Sequence, residues 1–262
     1  MAIRERGDKE DIWIYEFERG TMSRLTFSST RSFNPTWTPD SKPIFFDAES
    51  PVYEIHSKHA DTTGSETVIL TGPYDRYPDS FSPDGKVLAY RESNPKTGSD
   101  LWLLPLEGDR KPVPFLQTPH NEDLASFSPD GRWLAYQSDE SGRFEAYAQS
   151  YGGAAFKVQV STNGGRRPVW SRDGKELFYR EGTKMMAVSV ASRPESLAVG
   201  KPVLLFDDHD QSSMVSNLDS STTFDVNPDG RRFLVMRPDP NPAPIQMQVV
   251  LNWFEELKRR VP

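Results

Sequence analysis

The residues best placed for chemistry in this chain stand just ahead of a repeated turn. They are Arg31 and Asn34; Arg76, Tyr77 and Asp79; Asn121, Glu122 and Asp123; Arg166 and Arg167; Ser221 and Thr222. Arginine, tyrosine and carboxylate in mixture favour recognition of a peptide or a small polar molecule over lipid or DNA. The adjacent Arg166 and Arg167 form a candidate carboxylate clamp, because guanidinium grips that group through parallel hydrogen bonds. The plainer alternative is a solvated rim of loops. The candidate ligand-binding set is therefore Arg31, Asn34, Arg76, Tyr77, Asp79, Glu122, Asp123, Arg166 and Arg167.

Other chemistry finds less support. The run Asp207-Asp208-His209-Asp210 could hold a hard cation through oxygen ligands, but reads better as a solvated loop. His56 and His59 are three apart, which on a strand puts them on opposite faces and makes them poor co-ligands. There is no Gly-x-Ser-x-Gly elbow, so hydrolysis through a serine nucleophile is not expected. No cofactor and no catalytic residue is assigned. A rival reading is a metal-dependent lyase or hydrolase, which would need carboxylates and histidines converging from several strands.

The elements that position the candidate residues follow from one short turn. It occurs as Thr38-Pro39-Asp40-Ser41, Ser82-Pro83-Asp84-Gly85, Ser128-Pro129-Asp130-Gly131, Ser171-Arg172-Asp173-Gly174 and Asn227-Pro228-Asp229-Gly230. Proline presets φ, aspartate bonds nearby amides and glycine takes the left-handed position. The aspartates are turn formers rather than a catalytic set, since they recur once per unit. Units of about 40–45 residues mean an array of one supersecondary structure, and arrays mostly make binding surfaces.

Each turn joins two short apolar runs, such as Ala125-Ser126-Phe127 and Trp133-Leu134-Ala135-Tyr136, bounded by Pro and Gly as buried strands are. A third strand follows at Val52–Ile55, Leu101–Leu104, 144–147 and Met185–Val188, and a fourth at Thr67–Leu70, Val113–Leu116, 157–160 and 203–206. Pro114 marks its strand as an outer edge. Four antiparallel strands per unit make the β-propeller blade. The expected fold is all-β, with six blades of which the first and last are incomplete; five blades is the alternative. Residues 1–252 form the propeller, N-terminally truncated, with 247–251 as a late strand and 253–262 as a short C-terminal helix and tail.

Composition agrees with this reading. The 262 residues include 22 prolines and 17 glycines, a mix that suits many strands and turns. There are 31 basic and 38 acidic side chains, for a net charge of −7, which disfavours nucleic acid. Cysteine is absent, so disulfides and thiolate metal sites are excluded. No run reaches the roughly 18 apolar residues of a membrane helix. No direct membrane insertion is expected, and the chain is expected to be a monomer.

The phrase Phe127-Ser128-Pro129-Asp130-Gly131-Arg132-Trp133-Leu134-Ala135-Tyr136 resembles the TolB-type, WD-like propeller repeat of bacteria. Longer phrases, among them Asp11-Ile12-Trp13-Ile14-Tyr15, Glu176-Leu177-Phe178-Tyr179-Arg180 and Val249-Val250-Leu251-Asn252-Trp253-Phe254, resemble the C-terminal propeller of bacterial transmembrane serine/threonine kinases. That resemblance implies a sensor or interaction module. The kinase loops are missing here, so no kinase activity carries over. The expectation is a recognition module without catalysis, binding a protein, peptide or small polar ligand at the channel mouth. It would be cytoplasmic as written, and extracytoplasmic as part of such a receptor. A non-functional fragment of a longer gene is the remaining alternative.

Overall fold

The computed structural model describes residues 2–5, 10–27, 30–152, 155–193, 195–207, 224–227 and 232–235. The terminal helix, the strand at 247–251, residues 208–210 of the acidic run, Ser221, Thr222 and the tip of the fifth turn lie outside them.

The described residues form antiparallel sheets that follow one another along the chain. The first holds β1 (Ala2–Glu5), β2 (Asp11–Glu16) and β3 (Thr21–Arg24). The second runs β4 (Ser32–Trp37), β5 (Pro43–Ser50), β6 (Val52–His59) and β7 (Thr67–Leu70). The third repeats it with β8 (Arg76–Phe81), β9 (Val87–Asn94), β10 (Gly98–Pro105) and β11 (Val113–Leu116). The fourth has β12 (Glu122–Phe127), β13 (Trp133–Ser138), β14 (Glu145–Ser150) and β15 (Lys157–Gln159). The fifth has β16 (Arg166–Trp170), β17 (Glu176–Glu181) and β18 (Lys184–Arg193).

β18 is long enough to pair twice. Its start pairs β20 (Val203–Asp207), which completes the sheet, and its end pairs β19 (Ser196–Val199) in a hairpin that no turn motif announces. That hairpin leans back on the previous sheet, where Trp133 Nε1 donates to Ser192 Oγ at 2.9 Å. The pair β21 (Phe224–Val226) and β22 (Phe233–Val235) comes last.

The turns behave as their residues dictate. Ser82, Ser128 and Ser171 donate to the aspartate two residues on, at 2.6, 2.6 and 2.8 Å. The same hydroxyls accept from the amides of Val87, Trp133 and Glu176, which fixes the hairpin register. Hydrogen bonds from the hydroxyls and from the following amides hold Asp84 and Asp173 below the ordinary carboxylate range. Gly131 takes φ of +69° and faces Pro83 of the preceding turn, so successive turns stack on one another.

Packing lies between sheets rather than in one central core. Leu88 and Tyr90 pack with Phe45 and Ile55 of the second sheet, whereas Ala89 packs with Leu134 and Tyr136 of the fourth. Where the second strand is covered on both faces, successive residues are apolar, which explains runs such as Leu88-Ala89-Tyr90. The first strands meet side by side: Thr36 Oγ1 donates to Pro78 O at 3.3 Å, Phe127 N to Ser80 Oγ at 3.1 Å and Trp170 Nε1 to Ser126 O at 3.0 Å. Sheets joined along their first strands and packed face to face are the blades of a β-propeller.

Candidate functional site

The first strands of these four sheets begin two or three residues earlier than their apolar runs suggest, so every candidate ligand-binding residue except Arg31, which precedes β4, lies inside a strand. Each first strand then breaks register, between Phe33 and Thr36, Pro78 and Ser80, Asp123 and Ser126, and Arg166 and Val169. Asn34, Leu124 and Arg167 take left-handed φ of 48°, 54° and 55° at this bulge, with Pro78 at the same place in β8. Left-handed backbone is unfavourable for residues other than glycine. A bulge here bends the strand and re-aims the side chains beside it.

Register then sorts the side chains. Phe33 lies opposite Asp47, Tyr77 opposite Arg91, Asp123 opposite Gln137 and Arg166 opposite Arg180. Opposed residues share a face of the sheet. The second strand of four consecutive blades thus brings a polar residue to one repeat position. Asp47, Arg91, Gln137 and Arg180 are 0%, 3%, 1% and 2% exposed. Burying such groups is costly unless they are bonded to one another or to a ligand.

The cluster centred on the second and third sheets is the most developed. Asn34 Nδ2 donates to Asp47 Oδ1 at 2.8 Å, while Asp47 Oδ2 has no hydrogen-bond partner among the described residues. Burial pushes the Asp47 carboxyl up to about 7, against the opposing pull of the Asn34 bond and Arg91. Burial also pushes Asp79 up to about 7, although Arg91 and the Ala125 amide at 3.0 Å favour its charged form. Arg91 stands 4.6 Å over the Tyr77 ring and 4.0 Å from Asp123 Oδ1. Tyr53 bridges Phe33 and Tyr77, with ring centroids 5.6 and 5.5 Å away. Gln137 Oε1 accepts from the Arg167 amide at 3.0 Å, and its Nε2 has no partner among the described residues.

The nominated residues divide into groups. Asn34, Tyr77, Asp79 and Asp123 belong to this cluster. Arg31 is exposed and holds Glu49 through two bonds of 2.7 and 3.0 Å. Arg76 and Glu122 begin their strands and face the other way by strand alternation. Arg76 is buried with Nη2 2.5 Å from Glu92 Oε2, its guanidinium filling the space beside Gly72. Glu122 is buried and accepts from Thr118 Oγ1 at 2.5 Å; burial, with Asp100 nearby, pushes it up to about 7. Arg166 and Arg167 are adjacent in sequence but part in space: Arg166 lies 4.2 Å over the Phe144 ring, while Arg167 is buried.

His56 is committed to Glu66, with Nδ1 at 2.6 Å. Among the described residues no three His, Asp or Glu side chains gather as a metal site. Nor is any described helix long and apolar enough to cross a membrane. Sequence reading missed Asp47, Arg91, Gln137, Arg180 and Tyr53. The available signal was the polar residue closing each apolar run directly after an aromatic, as in Phe46-Asp47, Tyr90-Arg91, Tyr136-Gln137 and Tyr179-Arg180.

No family model matches the chain and no curated protein matches its sequence. Solved structures do match its shape. TolB from Acinetobacter baumannii aligns with a TM-score of 0.68 at 20% identity over 88% of this chain and 55% of TolB. Oligogalacturonate lyase in complex with manganese gives 0.58 at 17% identity over 89% of this chain and 70% of the lyase. The periplasmic gluconolactonase PpgL of Pseudomonas aeruginosa gives 0.57 at 17% identity, over 86% of this chain and 70% of that one. The fold is a TolB-like β-propeller. The chain spans about half the length of the TolB it matches.

These neighbours correct one expectation. The repeat array implies a module without catalysis, yet the same fold carries a lyase and a gluconolactonase. The physical reason is that a propeller buries polar side chains on its inner strands, and such a setting serves catalysis as readily as binding. Missing serine-nucleophile and kinase motifs exclude only those mechanisms.

Proposed function

We propose that this propeller recognises a peptide or small polar ligand at its channel mouth, through the inner polar positions of consecutive blades. The observation that carries this is the pair Asp47 and Gln137. Both are fully buried on the second strands of their blades, and each keeps a polar atom without a partner among the described residues. A ligand offering a donor to Asp47 and an acceptor to Gln137 would meet both needs. Arg91 lies between them in blade order, and the aromatic side chains of Phe33, Tyr53 and Tyr77 give apolar area beside the polar groups.

The test is ligand-observed NMR on a pool of short peptides and sugar acids, comparing wild type with Tyr77→Ala and Gln137→Ala. Binding that both substitutions weaken supports the reading. Binding indifferent to both, in folded variants, defeats it.

A second reading, catalysis at the same corner, is favoured by one observation: Asp47 and Asp79 both sit near 7 through burial. Carboxyls so placed can give and take a proton at neutral pH. Lactones and oligogalacturonate, named for two of the neighbours, are the substrates to assay first. Turnover unchanged in Asp47→Asn and Asp79→Asn would remove this reading. A sensor role within a kinase-like receptor rests on the phrases resembling that family's propeller; kinase signatures in frame upstream of Met1 would support it and an upstream stop would not.

A further inference from the structure

The inner corner of the second and third blades is acidic and aromatic together. Asp47, Asp75, Asp79 and Asp123 all bear on it. Asp75 accepts from the Tyr53 amide at 2.9 Å, and Tyr53 and Tyr77 both feel the charges of Asp47 and Asp75. Asp79 feels Asp123, and Asp47 feels Asp79. Two arginines stand nearby. Arg31 is held in a bidentate pair by Glu49, and Arg91 is shared among Tyr77, Asp123 and the two raised carboxyls. The corner therefore carries more negative than positive charge. Asp47 supplies the independent sign of a ligand: it is fully buried, with one oxygen lacking a partner among the described residues.

Aromatic faces beside carboxylates match one ligand chemistry. A cation gains from the ring quadrupole and from charge-assisted hydrogen bonds at once. An anion would meet repulsion from the carboxylates, and a plain apolar group would leave Asp47 unmet. We propose that this corner takes the charged end of a lysine or arginine side chain of a basic peptide, lying across Tyr53 and Tyr77 with its donors on Asp47 and the neighbouring carboxylates. This names the ligand class for the mouth and rests on the recognition reading above. Because Asp47 and Asp79 hold protons at the acid side of neutrality, capture of the cation releases them, and affinity rises as pH climbs through about 7. Asp75, Asp123, Glu49, Arg31, Arg91 and the two tyrosines are the other titratable or charged groups facing this corner.

The test uses three fluorescein-labelled peptides of equal length, differing only in carrying two arginines, two glutamines or two glutamates. Fluorescence anisotropy is measured on the full chain and on Asp47→Asn, Tyr53→Ala and the surface control Glu107→Gln/Asp109→Asn. The expected result is arginine peptide bound at least about tenfold tighter than the glutamine one, no binding of the glutamate one, and a loss of about fivefold or more in Asp47→Asn and in Tyr53→Ala. The control has lost more negative charge than Asp47→Asn and should bind normally. If the glutamate or glutamine peptide binds best and the same mouth variants abolish it, the recognition reading stands and the cation inference falls. If no peptide binds, or if the control weakens binding as much as Asp47→Asn does, the cation inference falls as non-specific attraction. Asp47→Asn keeps the shape of the side chain, and circular dichroism on each variant separates lost binding from lost fold.

Discussion

Asn34 and Asp47 meet across the first two strands of a blade, with Asn34 Nδ2 donating to Asp47 Oδ1 at 2.8 Å from a backbone held at φ of 48°. The residue does two jobs. Asparagine tolerates the left-handed conformation better than most side chains, and its amide satisfies half of a buried carboxyl. The two jobs can be separated. Asn34→Gly keeps the backbone and loses the bond, whereas Asn34→Ala loses both. Leaving a buried acceptor unmet costs about 1–3 kcal/mol. Urea denaturation should therefore find both variants destabilised, with alanine the worse. Equal stability of Asn34→Gly and wild type would show that the bond contributes nothing.

Three acids, Asp47 and Glu122 buried and Asp79 half-buried, make stability fall as pH rises toward neutrality. Asp47, Asp79 and Glu122 are each pushed up to about 7 by burial. Between about pH 4 and pH 7 the unfolded chain has released these protons while the folded chain still binds them, so the folded state loses ground as pH rises. The turn aspartates are shifted the other way and matter only below this window. The melting temperature should drop across the window in wild type, and less steeply in Asp47→Asn/Glu122→Gln. A double variant whose slope matches wild type would contradict these assignments.

Arg76 and Glu92 form a buried pair, 2.5 Å apart, rather than a rim contact. Removing one partner of such a pair strands the other charge and costs about 3–5 kcal/mol. Arg76→Met should accordingly unfold at much lower urea, and Arg76→Met/Glu92→Leu should recover much of the loss. The comparison reads the coupling directly. A double variant no better than the single one would mean that the pair is not what holds Arg76 in place.

The repeat announced the architecture because its signals are local. A serine, proline, aspartate and glycine within four residues specify a turn without reference to the rest of the chain, and Leu88-Ala89-Tyr90 declares a strand buried on both sides. The site was less legible. Arg76 and Tyr77 are neighbours in sequence, yet strand alternation sends one into a buried ion pair and the other to the inner face. The bulges at Asn34, Leu124 and Arg167 share no residue type, so nothing in composition marks them. Asp47, Arg91, Gln137 and Arg180 differ in charge and size, which hides that they occupy one repeat position. Recognising them takes cross-strand register, and register arises from pairing rather than from any single residue.

The clasp between the third strand and the chain entering the next blade supplies the last prediction. Ser161 Oγ accepts from the Ala146 amide at 2.7 Å and donates to Glu145 Oε2 at 2.5 Å, all three residues being buried. Asp11, Thr26 and Ile12 repeat the arrangement in the first sheet, with bonds of 3.0 Å from Thr26 Oγ1 to Asp11 Oδ1 and from Ile12 N to Thr26 Oγ1. The fourth-blade clasp leaves no room beside it. A Cβ on Gly165 would come within 2.1 Å of Ser161 Oγ, 2.5 Å of Ser161 Cβ and 2.8 Å of the Ala146 amide nitrogen. The last of these is backbone and cannot swing away. Ser161→Ala should cost about 1–3 kcal/mol by stranding buried polar groups. Gly165→Ala should cost at least as much, because it displaces the hydroxyl and presses on the sheet as well. In the double variant the shorter side chain at 161 relieves only the Oγ clash and leaves those with Cβ and the backbone, so Gly165→Ala should remain destabilising in the Ser161→Ala background. Full rescue there, measured by urea denaturation, would place the whole cost on the hydroxyl and none on the Cβ or the backbone.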